Sequence, residues 1–482
     1  MRLRLADVMP VPALAGGLEV AGITADSRSV RPGYLFAALP GARADGRAFI
    51  AEAVSRGAVA VLAPEGTTWP PGVPPRPLLE DPEPRRRLAQ LAAGLAGGQP
   101  RVTVAVTGTN GKTSTVEFLR QIWAGGGKPA ASLGTLGLVA EGFDPGPGLT
   151  TPDPVSLAQT LARLARAGVQ HAAMEASSHG LDQFRLDGVR LAAAALTNLT
   201  RDHLDYHGSV DAYRTAKLRL FGELLPSGAP VVASSGMDPT TLTRLADIAA
   251  KRRLDLRTVG EAGSAIRLLA ATPCPDGQLL RLEQAGGRHE VMLSLPGRFQ
   301  ADNALLAAAL AAALGERDVL DRLASLRGVR GRLELAARLP NGAAVYVDYA
   351  HTPDALERLL TALRPHTSGR LHVVFGAGGD RDRGKRPLMG AAAAGLADRV
   401  IVTDDNPRSE DPAAIRAAVL AACPGGREIG DRARAIVEAL NGLGPGDVLA
   451  VAGKGHEQGQ TIGETVIPFD DVDVVRRSVG QL

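Results

Sequence analysis

The stretch RVTVAVTGTNGKT, residues Arg101–Thr113, decides the fold of the chain. Its first half is an apolar strand run, and its glycine loop leads directly into a helix-compatible segment, Ser114–Trp123. A strand, a glycine loop with Lys-Thr and a helix together point backbone N–H groups at phosphate. The general pattern has another glycine where this chain has Val106. The arrangement predicts a nucleotide site in which Lys112 reaches the terminal phosphates and the Thr113 hydroxyl ligates Mg²⁺.

Outward from this stretch, apolar strands alternate with helical segments. The predicted strands are Ala58–Leu62, Val102–Val106, Ala172–Glu175, Ala192–Thr197, Val345–Asp348, Leu371–Phe375, Arg399–Thr403 and Asp447–Ala452. This alternation predicts parallel sheets with crossover helices.

Two breaks in the pattern divide the chain. Pro70–Pro84 is rich in proline and is followed by a short predicted helix, Arg85–Leu95, while Arg327–Arg332 is a joint rich in glycine and arginine. The length of 482 residues suits about three domains at roughly 150 residues each. We predict three α/β domains, at residues 1–98, 99–329 and 330–482. The central one is a P-loop-type ATPase domain with a parallel sheet, and the last is Rossmann-like.

The composition excludes several classes of protein. Hydrophobic residues make up 45% of the chain and charged residues 22%, as in an ordinary globular protein. The longest apolar run, Ala304–Leu314, is too short to span a bilayer. A net charge of +3 and 3% aromatic residues argue against nucleic-acid binding. Cys274 and Cys423 cannot form a disulfide framework. We therefore expect a cytoplasmic protein that neither binds nucleic acid nor inserts into a membrane. A monomer is expected as well, although composition does not decide it.

Lysine is scarce in this chain. Of 54 basic residues, all but six are arginine. The lysines are Lys112, Lys128, Lys217, Lys251, Lys385 and Lys454. Lysine offers a compact charge and an amine that can lose its proton, which arginine does not. A lysine kept against such a bias is therefore a candidate for a role that a guanidinium cannot fill.

A second glycine-rich segment, Gly376–Arg381 (GAGGDR), suggests a dinucleotide site as an alternative. The third glycine of that fingerprint falls on Arg381, so a helix could not pack closely there. The segment argues against NAD binding.

Motifs spread along the whole chain resemble those of the ATP-dependent Mur ligases. They are Asp26–Arg28 (DSR), Gly33–Ala38 (GYLFAA), Asp45-Gly46, Thr107–Thr113 (TGTNGKT), Glu175–Gly180 (EASSHG), Asn198–His207 (NLTRDHLDYH), Lys217, Asp348–Pro353 (DYAHTP), Gly379–Arg386 (GDRDRGKR), Asp405–Arg408 (DNPR) and Gly453–Glu457 (GKGHE). The resemblance implies an ATP-dependent amide ligase of peptidoglycan synthesis that works through an acyl phosphate.

The resemblance also implies a set of catalytic residues and metal ligands. The expected catalytic residues are Lys112, Glu175, His203 and Lys217, with Mg²⁺ held by Thr113, Glu175, His203 and Lys217. Lys217 would be carbamylated by CO₂ (N6-carboxylation), while His207 would be structural. Taken singly, Glu175 could be a solvated carboxylate at a strand end and His203 an ordinary loop residue.

Three substrates would be bound by residues matched to family motifs. For ATP these are Gly108, Thr109, Asn110, Gly111, Lys112, Thr113, Ser114, Asn303 and Arg332. For the UDP-N-acetylmuramoyl-dipeptide they are Ala25, Ser27, Arg43, Asp45, Thr150, Thr151, Ser177, Gln183 and Arg185. For the incoming amino acid they are Arg381, Asp405, Asn406, Pro407, Arg408, Gly453 and Glu457. Val231–Asp238 (VVASSGMD) departs from the family, which often has an asparagine on this adenine side.

The DNPR motif resembles the members that use meso-2,6-diaminopimelate. The far end of that amino acid carries a carboxylate, which Arg408 can pair bidentately, whereas lysine would leave the guanidinium unpaired. The alternatives are a relative that adds L-lysine or L-ornithine, a folylpolyglutamate-type synthetase, and a P-loop switch or motor. A switch or motor would hydrolyse nucleotide without any amino-acid requirement.

Overall fold

The computed structural model describes residues 3–5, 17–41, 44–146 and 148–480. The chain divides into two compact units, Met1–Ser264 with Leu306–Arg317, and Ala265–Leu305 with Asp318–Leu482. The three predicted domain limits stay predictions. Among the described helices, none has the length and apolarity needed to cross a bilayer.

The first part of the first unit is a small parallel sheet. Its elements are β1 (Leu3–Arg4), β2 (Glu19–Val20), β3 (Gly22–Thr24), β4 (Tyr34–Ala37), α1 (Ile50–Ser55), β5 (Ala58–Pro64), β6 (Leu78–Asp81) and α2 (Pro84–Ala96). The strands β3, β4, β5 and β6 pair in that order, all parallel. Apolar side chains on the two faces of this sheet form separate buried clusters. The predicted helix at Arg85–Leu95 corresponds to α2.

The rest of the first unit is built around the phosphate-loop strand. Its elements are β7 (Val102–Thr107), α3 (Lys112–Gly125), β8 (Ala130–Gly134), β9 (Gly137–Val139), α4 (Pro154–Arg166), β10 (His171–Glu175), α5 (Ser178–Asp182), β11 (Ala193–Leu196), α6 (Leu204–His207), α7 (Val210–Arg219), β12 (Pro230–Ser234), α8 (Pro239–Arg252) and β13 (Asp255–Gly260). The order is β13-β12-β11-β7-β10-β8-β9, parallel except for β9. Because β7 lies between β10 and β11, the ends of all three strands meet at one edge of the sheet.

The second unit contains a three-stranded antiparallel meander and a second parallel sheet. Its elements are β14 (Ile266–Cys274), β15 (Gly277–Gln284), β16 (Gly287–Leu293), the start of α9 (Arg298–Ala313), β17 (Glu334–Arg338), β18 (Ala344–Asp348), α10 (Pro353–Leu363), β19 (Leu371–Phe375), α11 (Lys385–Leu396), β20 (Arg399–Val402), α12 (Pro412–Leu420), β21 (Arg427–Glu428), α13 (Arg432–Asn441), β22 (Val448–Ala452), β23 (Gly459–Ile462), β24 (Thr465–Pro468) and α14 (Asp471–Val479). The second sheet has the order β17-β18-β22-β19-β20-β21, with only β17 antiparallel.

The predicted fold class is confirmed: the chain is built from parallel sheets with crossover helices. Every predicted strand is present, and no strand end differs from its prediction by more than two residues. The antiparallel meander β14–β16 lies outside that prediction. Its strands are joined by tight turns and leave one face partly open to solvent, so buried and exposed positions alternate along them. This pattern carries no crossover helix, which is why an alternation of strands and helices does not reveal it.

Candidate functional site

The phosphate loop lies between β7 and α3, as the sequence predicts. Gly108 has a φ of +143°, and any side chain there would collide with Oγ1 of Thr197, so glycine is required. Gly111 precedes α3 with a φ of +84°, and no side chain of the described residues caps this helix N-terminus. The first-turn N–H groups of α3 can therefore bind an anion held in the loop.

The end of β11 supports the other loop residues. The Asn110 N–H donates to Oδ1 of Asn198 at 3.0 Å. The Thr109 hydroxyl lies 3.0 Å from the Tyr213 hydroxyl, which belongs to α7. Thr113 and Ser114, in the first turn of α3, are both buried. Hydrogen bonds to the side chains of Asn198 and Tyr213 thus hold the loop.

Two lysine ammonium groups meet at one carbonyl of this loop. Lys112 Nζ donates to the Gly108 and Thr109 oxygens at 2.9 and 2.8 Å, and Lys217 Nζ donates to the Gly108 oxygen at 2.7 Å. Lys217 is 1% exposed. Its Nζ lies 4.5 Å from the centre of the Tyr213 ring. Burial, reinforced by the charge of Lys112, holds the pKa of Lys217 well below its ordinary value.

Glu175 ends β10 and is only 1% exposed, so the solvated alternative is wrong. Its Oε1 accepts a hydrogen bond from the Thr135 N–H at 2.7 Å, and its Oε2 accepts one from the Thr135 hydroxyl at 3.3 Å. A buried carboxylate that is bonded to neutral donors is costly unless a cation also reaches it. Glu175 is therefore suited to bind a metal ion.

His203 is half-exposed and precedes α6 with a left-handed backbone, φ +50°. Its Nε2 lies 3.5 Å from Oδ2 of Asp202, and its ring centre lies 4.9 Å from that of His179. Over the described ranges, no three His, Cys, Asp or Glu side chains converge as a ready-made metal site. Mg²⁺ is usually held by one or two carboxylates plus substrate phosphates, and Glu175 with the Thr113 hydroxyl fits such a partial set.

Five predicted dipeptide-binding residues lie beside Glu175. The Thr150 hydroxyl is 3.1 Å from the Thr135 hydroxyl. The Thr151 hydroxyl donates to the Glu175 carbonyl oxygen at 3.0 Å and accepts from the Ser177 N–H at 2.9 Å. Arg185 donates to the Thr151 carbonyl oxygen at 2.6 Å and to Oε1 of Gln183 at 2.8 Å. Hydrogen bonds thus join these side chains to the same strand end that carries Glu175.

The remaining predicted nucleotide-sugar residues lie in the first sheet. Ala25 and Ser27 directly follow β3, and the Ser27 hydroxyl donates to Oε2 of Glu52 at 2.7 Å. Asp45 caps a short 3-10 helix and pairs with Arg47. Arg43 lies outside the described residues.

In the second unit, Asn303 and Arg332 are joined through one glutamine. Nε2 of Gln300 donates to the Arg332 carbonyl oxygen at 3.2 Å, and Nδ2 of Asn303 donates to Oε1 of Gln300 at 3.5 Å. The Arg332 guanidinium stacks on the Tyr349 ring at 4.8 Å. Nε of Arg332 and Nδ1 of His456 are buried without a partner in the described chain, so polar atoms remain available for a ligand.

The run that departs from the family forms a strand end, a turn and a helix cap. Val231–Asp238 comprises most of β12 and the turn before α8. Oδ1 of Asp238 accepts from the Thr241 N–H at 2.9 Å, so this carboxylate caps α8.

The predicted amino-acid site lies at the carboxyl ends of β20 and β22, where open α/β sheets bind ligands. Arg408 has a left-handed backbone, φ +52°, and its Nη1 donates to the Gly379 carbonyl oxygen at 2.8 Å. Nδ2 of Asn406 donates to Oε2 of Glu457 at 2.9 Å. Gly453 has a φ of +115°, and a Cβ there would lie 2.6 Å from Oδ2 of Asp405.

Two more predicted residues flank this site. The Pro407 carbonyl oxygen accepts from the Glu410 N–H at 3.1 Å. Arg381 is exposed on the loop before α11. The structure therefore brings Asp405, Asn406, Arg408, Gly453 and Glu457 together, with Arg381 on the solvent side.

Three residues within the quoted motifs received no predicted role, and the structure places them in these sites. Lys454 is completely buried and bonded to both Asn406 and Glu457. Tyr349 and His456 surround the Arg332 guanidinium, and burial with the charge of Arg332 lowers the pKa of His456 to about 4. Lysine scarcity already singled out Lys454, whereas no sequence signal marks the ring contacts.

Comparison with known proteins covers nearly the whole chain. Models of the Mur ligase family match in three places: the family's catalytic domain at residues 19–94, its middle domain at 106–311 and its glutamate ligase domain at 331–455. The UDP-N-acetylmuramoyl-L-alanyl-D-glutamate–2,6-diaminopimelate ligases of Caulobacter vibrioides and Rhizobium meliloti are 55% and 53% identical to it. These alignments cover 98% of both chains for the first and 97% and 96% for the second. A solved structure bearing the same enzyme name is similar with a TM-score of 0.76 and 32% identity, covering 100% of this chain and 99% of that one.

Proposed function

Because the chain belongs to the Mur ligase family, we propose that it adds meso-2,6-diaminopimelate to UDP-N-acetylmuramoyl-L-alanyl-D-glutamate in an ATP-dependent reaction of peptidoglycan synthesis. The observation that carries this proposal is full-length identity above one half to ligases named for that reaction. The alternative of lysine or ornithine addition is not favoured, since these relatives are named for diaminopimelate.

The reaction joins a carboxylate to an amine, so the carboxylate must first gain a leaving group. Transfer of the ATP γ-phosphoryl group gives an acyl phosphate, which the amine attacks with loss of phosphate. Phosphoryl transfer depends mainly on positioning and charge neutralisation. Lys112 and the first-turn N–H groups of α3 supply both at the phosphate loop, because ATP phosphates can replace the two carbonyls that now accept from Lys112. Arg332 is assigned to the γ-phosphate by its match to the family motifs.

Mg²⁺ would be held by Thr113, Glu175, His203 and a carbamylated Lys217, and it would neutralise the charge of the transferred phosphoryl group. The burial of Glu175 among neutral donors supports this assignment. Lys217 gives a second argument for the same assignment. Its ammonium is buried beside Lys112 and forms no ion pair within the described ranges. After loss of the ammonium proton, the Lys217 nitrogen can add to the carbon of CO₂ with release of a second proton, and the carbamate would replace a costly buried cation with an anion beside Lys112.

The dipeptide carboxylate would lie near Glu175. Thr151, Ser177, Gln183 and Arg185 are hydrogen-bonded to one another, and Thr150 reaches Glu175 through the Thr135 hydroxyl, which supports their assignment to the muramoyl-peptide. Ala25, Ser27, Arg43 and Asp45 are assigned to the uridine and diphosphate by their match to the family motifs.

The diaminopimelate would be bound at the carboxyl ends of β20 and β22. Its distal carboxylate would pair with Arg408 and its distal ammonium with Glu457. Arg408 is held in place by the Gly379 carbonyl before any ligand arrives, which reduces the entropy lost on binding.

Phosphate release tests this proposal directly. The protein is supplied with ATP, Mg²⁺ and UDP-N-acetylmuramoyl-L-alanyl-D-glutamate, and meso-diaminopimelate, L-lysine, L-ornithine and no amine are compared. Release that depends strongly on diaminopimelate is the expected result. Preference for lysine or ornithine would keep the ligase mechanism and overturn the assigned substrate. Phosphate release that does not depend on any of the amines would instead favour a nucleotide switch or motor.

A further inference from the structure

The predicted amino-acid site, formed by Asp405, Asn406, Arg408, Gly453 and Glu457, is called the amine pocket below. Lys454 is buried next to this pocket and has no role in the proposed reaction. It has 0% exposure, and its Nζ donates to Oδ1 of Asn406 at 3.0 Å and to Oε2 of Glu457 at 3.1 Å. A buried charge is costly unless it is paired and hydrogen-bonded. The position is occupied by one of only six lysines in a chain where arginine is the usual cation. A guanidinium is larger and planar, so it does not fit the space of a compact ammonium that is completely buried between two acceptors.

These contacts orient the Asn406 amide. Its Oδ1 accepts from both Lys454 Nζ and the Thr461 N–H, the latter at 2.9 Å. Since an ammonium can only donate, the amide oxygen must face Lys454, and Nδ2 is directed to Oε2 of Glu457. Glu457 therefore receives both hydrogen bonds on one oxygen. Its Oε1 accepts no hydrogen bond from the described residues and is available to an ammonium.

Lys454 adds a buried positive charge to the pocket, directly beside the Glu457 carboxylate. Asp405 and Glu457 carry the negative charges of the pocket, and Arg408 and the more exposed Arg381 carry further positive charges. The distal end of diaminopimelate carries an ammonium and a carboxylate, and its charges sum to zero. The distal end of lysine carries an ammonium alone, which a pocket lacking the Lys454 charge would attract more strongly.

We infer that Lys454 is a positioning residue that sets the choice of amino acid. It directs one Glu457 oxygen into the pocket, and its buried positive charge disfavours a purely cationic distal end relative to a zwitterionic one. The inference rests on the proposed function, since it concerns the same amine site.

The test uses the full-length protein with Lys454→Met, which keeps an unbranched side chain one atom shorter and removes the charge. Initial rates of phosphate release are measured against meso-diaminopimelate and L-lysine at saturating ATP and nucleotide-dipeptide. We expect kcat/KM for diaminopimelate to fall roughly 10- to 100-fold, the range for a lost hydrogen bond to a charged group. The KM for ATP should stay within about twofold of the wild-type value. The ratio of kcat/KM for diaminopimelate to kcat/KM for L-lysine should also fall.

Two controls separate positioning from general damage. Lys251→Met removes an exposed lysine of α8 and should leave both rates unchanged. In a Glu457→Gln background, Lys454→Met should have little further effect, because residues acting through one another are not additive. If thermal unfolding shows that Lys454→Met does not fold, Lys454→Gln, which keeps one donor for Asn406, is measured for the same ratio.

The outcomes distinguish this inference from the proposed function. If the wild-type protein releases phosphate without regard to the amine, the proposed function fails. If the wild type depends on diaminopimelate but the variant loses activity equally with both amines, Lys454 is merely structural and the inference is wrong. A lowered ratio of diaminopimelate to lysine use, with ATP use unchanged, supports it.

Discussion

Removal of the Arg408 guanidinium should weaken the use of diaminopimelate far more than that of ATP. The side chain is half-buried, and its Nη1 is already fixed by the Gly379 carbonyl. A hydrogen bond to a charged group contributes about 1.5–3 kcal/mol. For Arg408→Ala we therefore expect a loss near the top of that range, about 3 kcal/mol, which is roughly 150-fold in kcat/KM for diaminopimelate.

The backbone of Arg408 supplies a second, separable effect. Its left-handed φ is held by hydrogen bonds from its N–H to the Thr461 carbonyl oxygen and from the Gly463 N–H to its own carbonyl oxygen, at 3.1 and 2.8 Å. Alanine retains the cost of this conformation and glycine relieves it, by about 1 kcal/mol. Arg408→Ala and Arg408→Gly should thus lose diaminopimelate use equally, while the glycine variant unfolds at the higher temperature.

The assay is phosphate release with diaminopimelate or ATP varied in turn, together with thermal unfolding of each variant. Arg427→Ala is the matched control, because that arginine forms an exposed pair with Glu438 in the same sheet region and such pairs contribute little. An equal loss in the use of ATP and diaminopimelate would refute the role assigned to Arg408. So would an unchanged preference for diaminopimelate over lysine.

Three further predictions concern groups buried elsewhere. Lys217→Ala should abolish phosphate release, and a short carboxylate such as acetate or propionate should restore part of it; failure of every such acid would contradict the ligand role. Because folding lowers the pKa of His456 to about 4 from an ordinary 6.5, its contribution to stability is present above pH 6.5 and is lost as the pH falls toward 4. Between pH 7 and pH 4.5, the Tm of His456→Gln should therefore fall less than the Tm of the wild type. The difference should correspond to roughly 1–2 kcal/mol of unfolding free energy after allowance for solvent screening. Equal falls in Tm would contradict this. Arg432→Met should lower stability by about 3–5 kcal/mol, since it leaves the fully buried Asp471 without its partner, and Arg432→Met with Asp471→Leu should recover most of the loss in urea unfolding.

The sequence predicts site residues best where neighbours in the chain are also neighbours in space. The phosphate loop is one such place, because a strand, a glycine turn and a helix fix the positions of Lys112 and Thr113 locally. The contact of Lys217 with the Gly108 carbonyl joins residues more than a hundred positions apart. Only resemblance to a family, aided by the scarcity of lysine, pointed to that residue.

The amine pocket shows the limit of such reasoning more clearly. The DNPR motif identified Arg408, but the sequence does not tell that its backbone is left-handed or that a hairpin holds it there. Nor does a sequence reveal which of the two Asn406 amide atoms faces Lys454. These features depend on hydrogen bonds between separate loops, which the pattern of apolar and polar residues along the sequence does not predict. The stack of Arg332 on Tyr349 was missed for the same reason.

The hairpin formed by β23 and β24 has a consequence for how this enzyme can change. Its first strand bonds successive residues of the DNPR loop: the Gln460 side chain to the Asp405 carbonyl oxygen, and the Thr461 backbone to Asn406 and Arg408. The pocket and its supports thus occupy one continuous stretch, residues 376–468. Single substitutions there disturb several coupled bonds at once, whereas exchange of the whole stretch by recombination would transfer them intact. A graft of this whole stretch from a relative is therefore expected to change the choice of amino acid with the supporting hydrogen bonds intact, whereas a single substitution is not.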